Sequence, residues 1–195
     1  MNHKIATFIC NKIGKSLSID EELIDVYIYG FELILSFIIS TSIILLLGII
    51  IGQVLSSIAF LFVFIFVRRF TGGFHANTYF KCQLFTVSFY LIAQLLSICT
   101  SLNVYYFILL SVVGTTIILL IGPIESPYKP LSKSSRIRNK IIGCFSFVAI
   151  NIIGISIYKY KIIGNMFFYT NFIIIILMLV PYFYKKYFNS KNKSV

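Results

Sequence analysis

Tryptophan is absent from this sequence of 195 residues, and charged side chains make up only 12% of it. Soluble domains carry about 25% charged residues, so the charged surface here is too small to cover a soluble globule. The acids number six and the histidines two, which leaves few groups for proton transfer near neutral pH. The four cysteines form no CxxC pair, a pattern that argues against a disulfide framework or a zinc cluster. We therefore expect no metal and no cofactor.

The sequence contains long apolar runs without any charged residue, for example over residues 33–67 and 83–124. About 18 such residues can cross a bilayer core as a helix, which satisfies its own backbone hydrogen bonds in lipid. The runs do not alternate polar and apolar residues as the strands of a membrane barrel do. The sequence therefore predicts an all-α, polytopic membrane protein. It forms one domain over residues 1–195, with six transmembrane helices at about 29–49, 51–67, 83–100, 104–122, 141–158 and 166–184.

Basic residues are unevenly distributed between the segments that connect these spans. With six spans, all of the 17 Lys and Arg residues except Lys159 and Lys161 lie on one side of the membrane. Short basic segments stay on the cytoplasmic side, so both termini and the segment from Arg68 to Cys82 are predicted to face the cytoplasm. A chain with five spans would lose this segregation.

The segment before the first span has apolar residues at helical spacing, with lysines among them: Ile5, Phe8, Ile9, Ile13 and Leu17. This pattern predicts an amphipathic helix in the membrane interface, which serves as an anchor or grips an amphipathic partner peptide. We expect no cleavable signal peptide, because the first long apolar run starts only near residue 29. The net charge of +11 fits anionic membrane lipid or an acidic ligand. Because it is spread over loops, it gives no reason to expect nucleic acid.

One polar segment, from Arg68 to Cys82, holds most of the reactive chemistry that the sequence offers. His75 precedes Cys82 by seven residues, and an imidazole can take the proton of a thiol to give the reactive thiolate. On one straight helix this spacing separates the two side chains by about 10 Å, too far for the roughly 3 Å contact between a base and its nucleophile. A catalytic pair therefore requires a non-helical or re-entrant break near residues 70–82, or a homodimer that pairs the residues across protomers. From the residues alone, an accidental His and Cys in a polar loop is an equal interpretation.

Several neighbours of this pair are candidates for supporting roles. Gly72 and Gly73 permit unusual backbone angles, as a hinge or as amide donors to an oxyanion. Asn77 is close enough in sequence to orient His75. Glu32 lies near the start of the first span, where a carboxylate is costly and often functional; it either extends to the interface or takes part in the chemistry. The identity of a third catalytic residue is left open.

The order Arg68-Arg69, then Gly72 to Ala76 with His75 among them, then Cys82, resembles the signature of the accessory gene regulator protein B family, AgrB. Its members are membrane cysteine endopeptidases of Gram-positive bacteria. The resemblance covers the whole chain in length, number of spans, basic cytoplasmic loops and amphipathic N-terminal segment, and it extends to Gly122-Pro123 and Lys129-Pro130-Leu131. It implies a location in the bacterial cell membrane and catalytic roles for His75 and Cys82.

The same resemblance implies an AgrD-like propeptide as the substrate, with an amphipathic leader, a central signal segment and an acidic tail. Cys82 would attack the bond before the tail, with His75 as general base and then acid. An internal Cys or Ser of the propeptide would then open the thioester and close a thiolactone or lactone ring, the precursor of a quorum-sensing pheromone. Arg68, Arg69 and Lys81, with Lys129 of the second basic loop, would attract the acidic tail; a purely topological role is the alternative.

Two other classes of function stay open at this stage. A peptide exporter without proteolytic activity would place polar residues inside several spans and would work without the thiol of Cys82. A membrane scaffold without chemistry would leave Cys82 no more reactive toward iodoacetamide than Cys10.

Overall fold

The computed structural model describes residues 21–73, 79–124 and 132–191. Within these ranges lie six helices: α1 (Glu21–Ile51), α2 (Val54–Thr71), α3 (Tyr79–Cys99), α4 (Val104–Ile121), α5 (Lys133–Ser156) and α6 (Lys161–Lys191). Each contains a segment long and apolar enough to cross a membrane, and the described ranges contain no strand. The predicted all-α class with six membrane helices is confirmed. The predicted N-terminal interfacial helix falls on residues 1–20, outside the described ranges.

Helix ends differ from the sequence prediction at two places that concern function. Helix α2 ends at Thr71 and α3 begins at Tyr79, and Gly72 and Gly73, the described residues of the predicted break, are not helical. Cys82, however, belongs to the first turn of α3 and not to the break. The second difference is α5, which begins at Lys133 where a loop up to residue 140 was expected. The hydrophobicity pattern did not predict a helix at the start of α5, because charged residues such as those found there are also common in loops.

The helices alternate in direction, which gives the bundle two distinct ends. Helices α2 and α3 are antiparallel: Ser56 contacts Gln94, whereas Arg68, further along α2, lies near Cys82 at the start of α3. We call the end that contains Cys82 the thiol end; it includes residues 71–73, 79–82 and 119–124 and the start of α5. The opposite end contains the short connections at residues 52–53, 100–103 and 157–160.

Helix α6 forms the centre of the bundle and packs against α2, α3, α4 and α5. Its membrane-crossing window is 67% buried, compared with 17% for that of α1, which packs on α2 and α3 at the periphery. The core therefore lies around α6. Large, completely buried side chains fill it, among them Phe60, Tyr90, Phe147 and Met178.

Small residues allow close contact between helices, as is common where lipid provides no hydrophobic drive for association. A Cβ added to Gly48 would lie 2.1 Å from the Ser57 hydroxyl oxygen, and one added to Gly114 would lie 2.4 Å from the Phe147 ring. Hydrogen bonds between helices accompany this packing: Ser57 Oγ and Tyr90 Oη are 2.7 Å apart. The bundle is thus held by close packing and polar contacts together.

Buried polar side chains concentrate in the half of the bundle nearer the opposite end. Asn165 on α6 donates from Nδ2 to the carbonyl oxygen of Thr100 at 2.8 Å, and Ser56 donates to Gln94 Oε1 at 2.6 Å. Some buried polar atoms find no hydrogen-bond partner among the described residues, including Gln94 Nε2 and both amide atoms of Asn171. Uncharged polarity is therefore present inside several spans, although charge is scarce there.

Candidate active site

Two glycines end α2 and carry the chain into the segment with His75. Gly72 has φ +70° and ψ −151°, a conformation that is essentially restricted to glycine. Its amide donates to the carbonyl oxygen of Arg68 at 3.0 Å and closes the last turn of the helix. Gly73 follows with φ +139°. Because the Gly72 amide is engaged in this cap, the structure gives Gly72 a role in ending the helix.

The same glycines let three parts of the chain meet at backbone contact. The Ile124 amide donates to the carbonyl oxygen of Thr71 at 2.9 Å, and Gly72 forms a parallel bridge with Ile124. A Cβ on Gly72 would lie 2.1 Å from the Ile124 carbonyl oxygen, and one on Gly73 would lie 3.3 Å from the carbonyl oxygen of Leu177 on α6. The chain just before His75 is therefore anchored to α6 and to the segment that follows α4.

Cys82 lies in the first turn of α3 with a half-buried free thiol. Its neighbour Gln83 donates from Nε2 to the carbonyl oxygen of Ser36 on α1 at 3.3 Å, which fixes this turn against α1. The positive end of a helix favours a negative charge in its first turn. The first turn of α3 thus places Cys82 at the positive end of the helix dipole.

Two adjacent arginines near the end of α2 have different environments. Arg68 is half-buried, its guanidinium carbon lies 4.9 Å from the centre of the Phe64 ring, and its charge interacts with Cys82. Arg69 is exposed and lies 6.0 Å from the centre of the Phe70 ring. Successive residues point about 100° apart on a helix, so only one of the pair can face the thiol. The sequence analysis had given Arg68 and Arg69 the same candidate role.

The basic residues expected in a loop before the fifth span largely belong to α5. Lys133, Arg136 and Arg138 are exposed on its first two turns, and no acid accompanies them in the first turn. Lys140 donates from Nζ to the carbonyl oxygen of Leu119 at 2.7 Å, near the end of α4. This contact satisfies a helix-terminal carbonyl, a role for Lys140 that the sequence analysis missed.

Three of the predicted site residues, His75, Asn77 and Lys129, lie outside the described residues, and their roles remain predictions. Lys81 is exposed on the first turn of α3 beside Cys82. The structure therefore places Cys82, Arg68 and the Gly72–Gly73 turn at the same end of the bundle, the thiol end, where the charge of Arg68 interacts with Cys82. No group of three His, Cys, Asp or Glu side chains comes together within the described ranges.

A six-helix membrane bundle with a half-buried thiol and an arginine at one end defines a multi-pass membrane protein with a candidate cysteine site. The sequence model of the family described as Accessory gene regulator B matches residues 6–188, and the chain belongs to this family. It is also 25% identical over 170 residues to an AgrB-like protein 2 of Clostridium perfringens (strain 13 / Type A), covering 77% of this chain and 76% of that protein. No solved structure matches the chain. Family membership supports a part in accessory gene regulator peptide processing for quorum sensing.

Proposed function

We propose that this protein is a membrane cysteine endopeptidase that removes the acidic tail of an AgrD-like propeptide and prepares the remainder for cyclisation. The observation that carries the proposal is the placement of Cys82: a half-buried free thiol in the first turn of α3, next to the charge of Arg68. A cation and a helix N-terminus both stabilise a thiolate, which is the nucleophilic form.

The proposed reaction has two steps that share one thioester. In the first, His75 takes the proton of Cys82, the sulfur attacks the carbonyl carbon before the tail, and the tail leaves with the proton from His75. In the second, an internal Cys or Ser of the propeptide gives its proton to His75 and attacks the thioester, which closes the thiolactone or lactone ring and returns Cys82 as a thiol. The internal nucleophile has the advantage of high effective concentration.

Charge at the thiol end supports an acidic substrate segment. The first turns of α5 carry Lys133, Arg136 and Arg138 exposed, although cations are disfavoured by the dipole at a helix N-terminus. These residues therefore serve a purpose other than helix stability. We propose that they face the cytoplasm, together with both chain termini, and attract the carboxylates of the propeptide tail.

Arg68 and Arg69 provide a matched pair for testing the role of the site charge. We expect Arg68→Gln to lower the rate of tail cleavage on the order of 100-fold, as removal of a group that stabilises reacting charge does. Arg69→Gln should change the rate within about threefold, because an exposed charge contributes little. The measurement is the release of the tail from propeptide in membranes at equal protein level. Equal losses in the two variants would contradict a specific role for Arg68 at Cys82.

The direct test of the proposal is to detect the acyl-enzyme. Full-length protein in vesicles is mixed with a synthetic propeptide that has an amphipathic leader, an acidic tail and an internal Ser or Cys changed to Ala, so that the ring cannot close. Mass spectrometry should then find the leader portion attached to Cys82 through a bond that hydroxylamine cleaves. Tail release without any adduct on Cys82 would contradict the thioester mechanism.

Peptide export without proteolysis is a second candidate function, which a separate observation favours. Buried uncharged polar side chains, among them Gln94, Asn151, Asn165 and Asn171, lie inside several spans, and some of their polar atoms have no partner among the described residues. An exporter would move peptide equally well when Cys82 is replaced by alanine. The same variant therefore separates the two candidates.

A further inference from the structure

Two completely buried asparagines, Asn151 of α5 and Asn171 of α6, carry polar atoms without a hydrogen-bond partner. Neither Oδ1 nor Nδ2 of Asn171 has a partner among the described residues. Asn151 donates from Nδ2 to the carbonyl oxygen of Phe147 at 2.9 Å, but its Oδ1 has no partner in the described part of the chain. An unpaired polar group is costly inside a protein, and more so in a bundle surrounded by lipid. These atoms therefore call for a ligand.

An apolar contact between three helices lies on one side of these amides, toward the opposite end. A Cβ added to Gly154 of α5 would lie 3.0 Å from a ring atom of Phe107 on α4 and 3.0 Å from the Cβ of Phe167 on α6. The Phe107 ring also packs against that of Phe168, with centroids 5.3 Å apart. This contact fixes the relative level of α4, α5 and α6.

A second contact between the same helices lies on the other side, toward the thiol end. A Cβ added to Gly114 of α4 would lie 2.4 Å from the ring of Phe147 on α5 and 3.4 Å from Cδ1 of Ile175 on α6. From the first contact to the second, α4 and α5 each advance seven residues and α6 advances eight, which is about two helical turns. The three helices therefore stay level between the contacts.

The two asparagines lie midway between these contacts, on the faces that the contacts define. Asn151 is four residues from Phe147 and three from Gly154, and Asn171 is four residues from the contact residue of α6 on either side. Residues three or four apart share one face of a helix, so both amides point into one layer between α5 and α6. The apolar contacts close this layer in both directions along the bundle axis.

We infer that this layer is a site for buried water, held by Asn151 and Asn171. The unpartnered atoms are two carbonyl oxygens, which need donors, and one amide nitrogen, which needs an acceptor. The two amides are not hydrogen-bonded to each other, and a cation would satisfy only the oxygens. Water both donates and accepts, and a buried water makes about three hydrogen bonds to groups of this kind. The site is separate from the thiol end and from the proposed reaction.

The sign of one substitution tests this inference. In full-length protein in detergent, Asn171→Leu should lower the thermal unfolding temperature on the order of 5 °C, because the water is lost and Asn151 Oδ1 then has no partner. In a dry layer the same substitution would remove an unpaired amide and raise the unfolding temperature, which would overturn the inference. Adding Asn151→Leu should bring the double variant back close to wild type, because both partners are then apolar.

Asn165→Leu is the matched control for this pair of variants. Asn165 is also buried on α6, but it donates to the carbonyl oxygen of Thr100. Its effect should therefore add to that of Asn171→Leu without any recovery. Replacing sodium and potassium ions by choline should leave the wild-type unfolding temperature unchanged. A fall in choline would identify a cation in place of water and contradict the inference.

Radiolytic labelling tests for the water in the unaltered protein. An X-ray pulse on the full-length protein in vesicles of phosphatidylglycerol and phosphatidylcholine forms hydroxyl radicals from water, and a buried water modifies the side chains beside it. Phe147 should be modified several-fold more than Phe60, although both are completely buried, and Asn171→Leu should abolish the difference. Equal labelling of the two phenylalanines in the wild type would show a dry layer. That comparison decides the matter alone if Asn171→Leu fails to accumulate.

Discussion

Replacing Cys82 by alanine is expected to abolish release of the propeptide tail, lowering the rate by at least about 10³-fold, as loss of an enzyme's nucleophile does. The substitution removes the atom that forms the thioester. It should not disturb the bundle, because the thiol is half-buried at a helix start and alanine is the best helix former. The measurement is tail release from propeptide by mass spectrometry, with the variant present in the membrane at the wild-type level.

Two other cysteines of the described chain serve as controls for this prediction. Cys99 is exposed near the end of α3 and Cys144 is half-buried in α5, and alanine at either position should leave cleavage within about twofold of wild type. Iodoacetamide should label Cys82 faster than Cys99. Normal tail release by Cys82→Ala would rule out Cys82 as the nucleophile and with it the proposed thioester mechanism.

Replacing Gly72 by alanine is expected to be the most destabilising of the single substitutions considered, by about 3 kcal/mol or more when backbone strain and steric overlap are combined. The backbone conformation at Gly72 is essentially closed to other residues. The added Cβ would also lie 2.1 Å from the carbonyl oxygen of Ile124, a distance that requires the segment after α4 to move. The measurements are the thermal unfolding temperature in detergent and the rate of tail release, both of which should fall.

Gly52 separates the two contributions. It has φ +73°, close to the value at Gly72, but an added Cβ would meet nothing within 4 Å. Gly52→Ala should therefore lose only the backbone contribution, roughly 1 kcal/mol, and should leave tail release unchanged because it lies at the opposite end. Equal destabilisation by the two substitutions would contradict the larger cost expected at Gly72.

The membrane class and the number of spans follow from local composition, which is why they could be predicted. Uncharged runs such as residues 83–124 have no soluble alternative of that length. The start of α5 could not be found in this way, because Lys133 to Lys140 form a charged helical segment outside the apolar run. The hydrophobicity of a sequence predicts which residues lie in lipid, but it does not predict how far a helix extends beyond the lipid.

The contents of the candidate site were only partly predictable, because they depend on contacts between distant parts of the chain. The segment from Arg68 to Cys82 could be identified because it is polar and lies between two long apolar runs. Its sequence did not show that the charge of Arg68 interacts with Cys82 while Arg69 is exposed, since that difference depends on the rotation of α2 in the bundle. The contact of Gly72 with Ile124, some 50 residues away, also depends on tertiary packing.

The position of Cys82 in the first turn of a membrane-crossing helix also bears on how a substrate would find it. The fourth residue of α3 lies only about 5 Å along the axis from the helix start, so the thiol lies near one end of a helix that is long and apolar enough to cross a membrane. A propeptide held on the membrane surface by an amphipathic leader would search for the thiol by lateral diffusion in two dimensions. A freely dissolved peptide of the same tail sequence would have to find it from bulk solution, so that attachment to lipid itself becomes an element of selectivity.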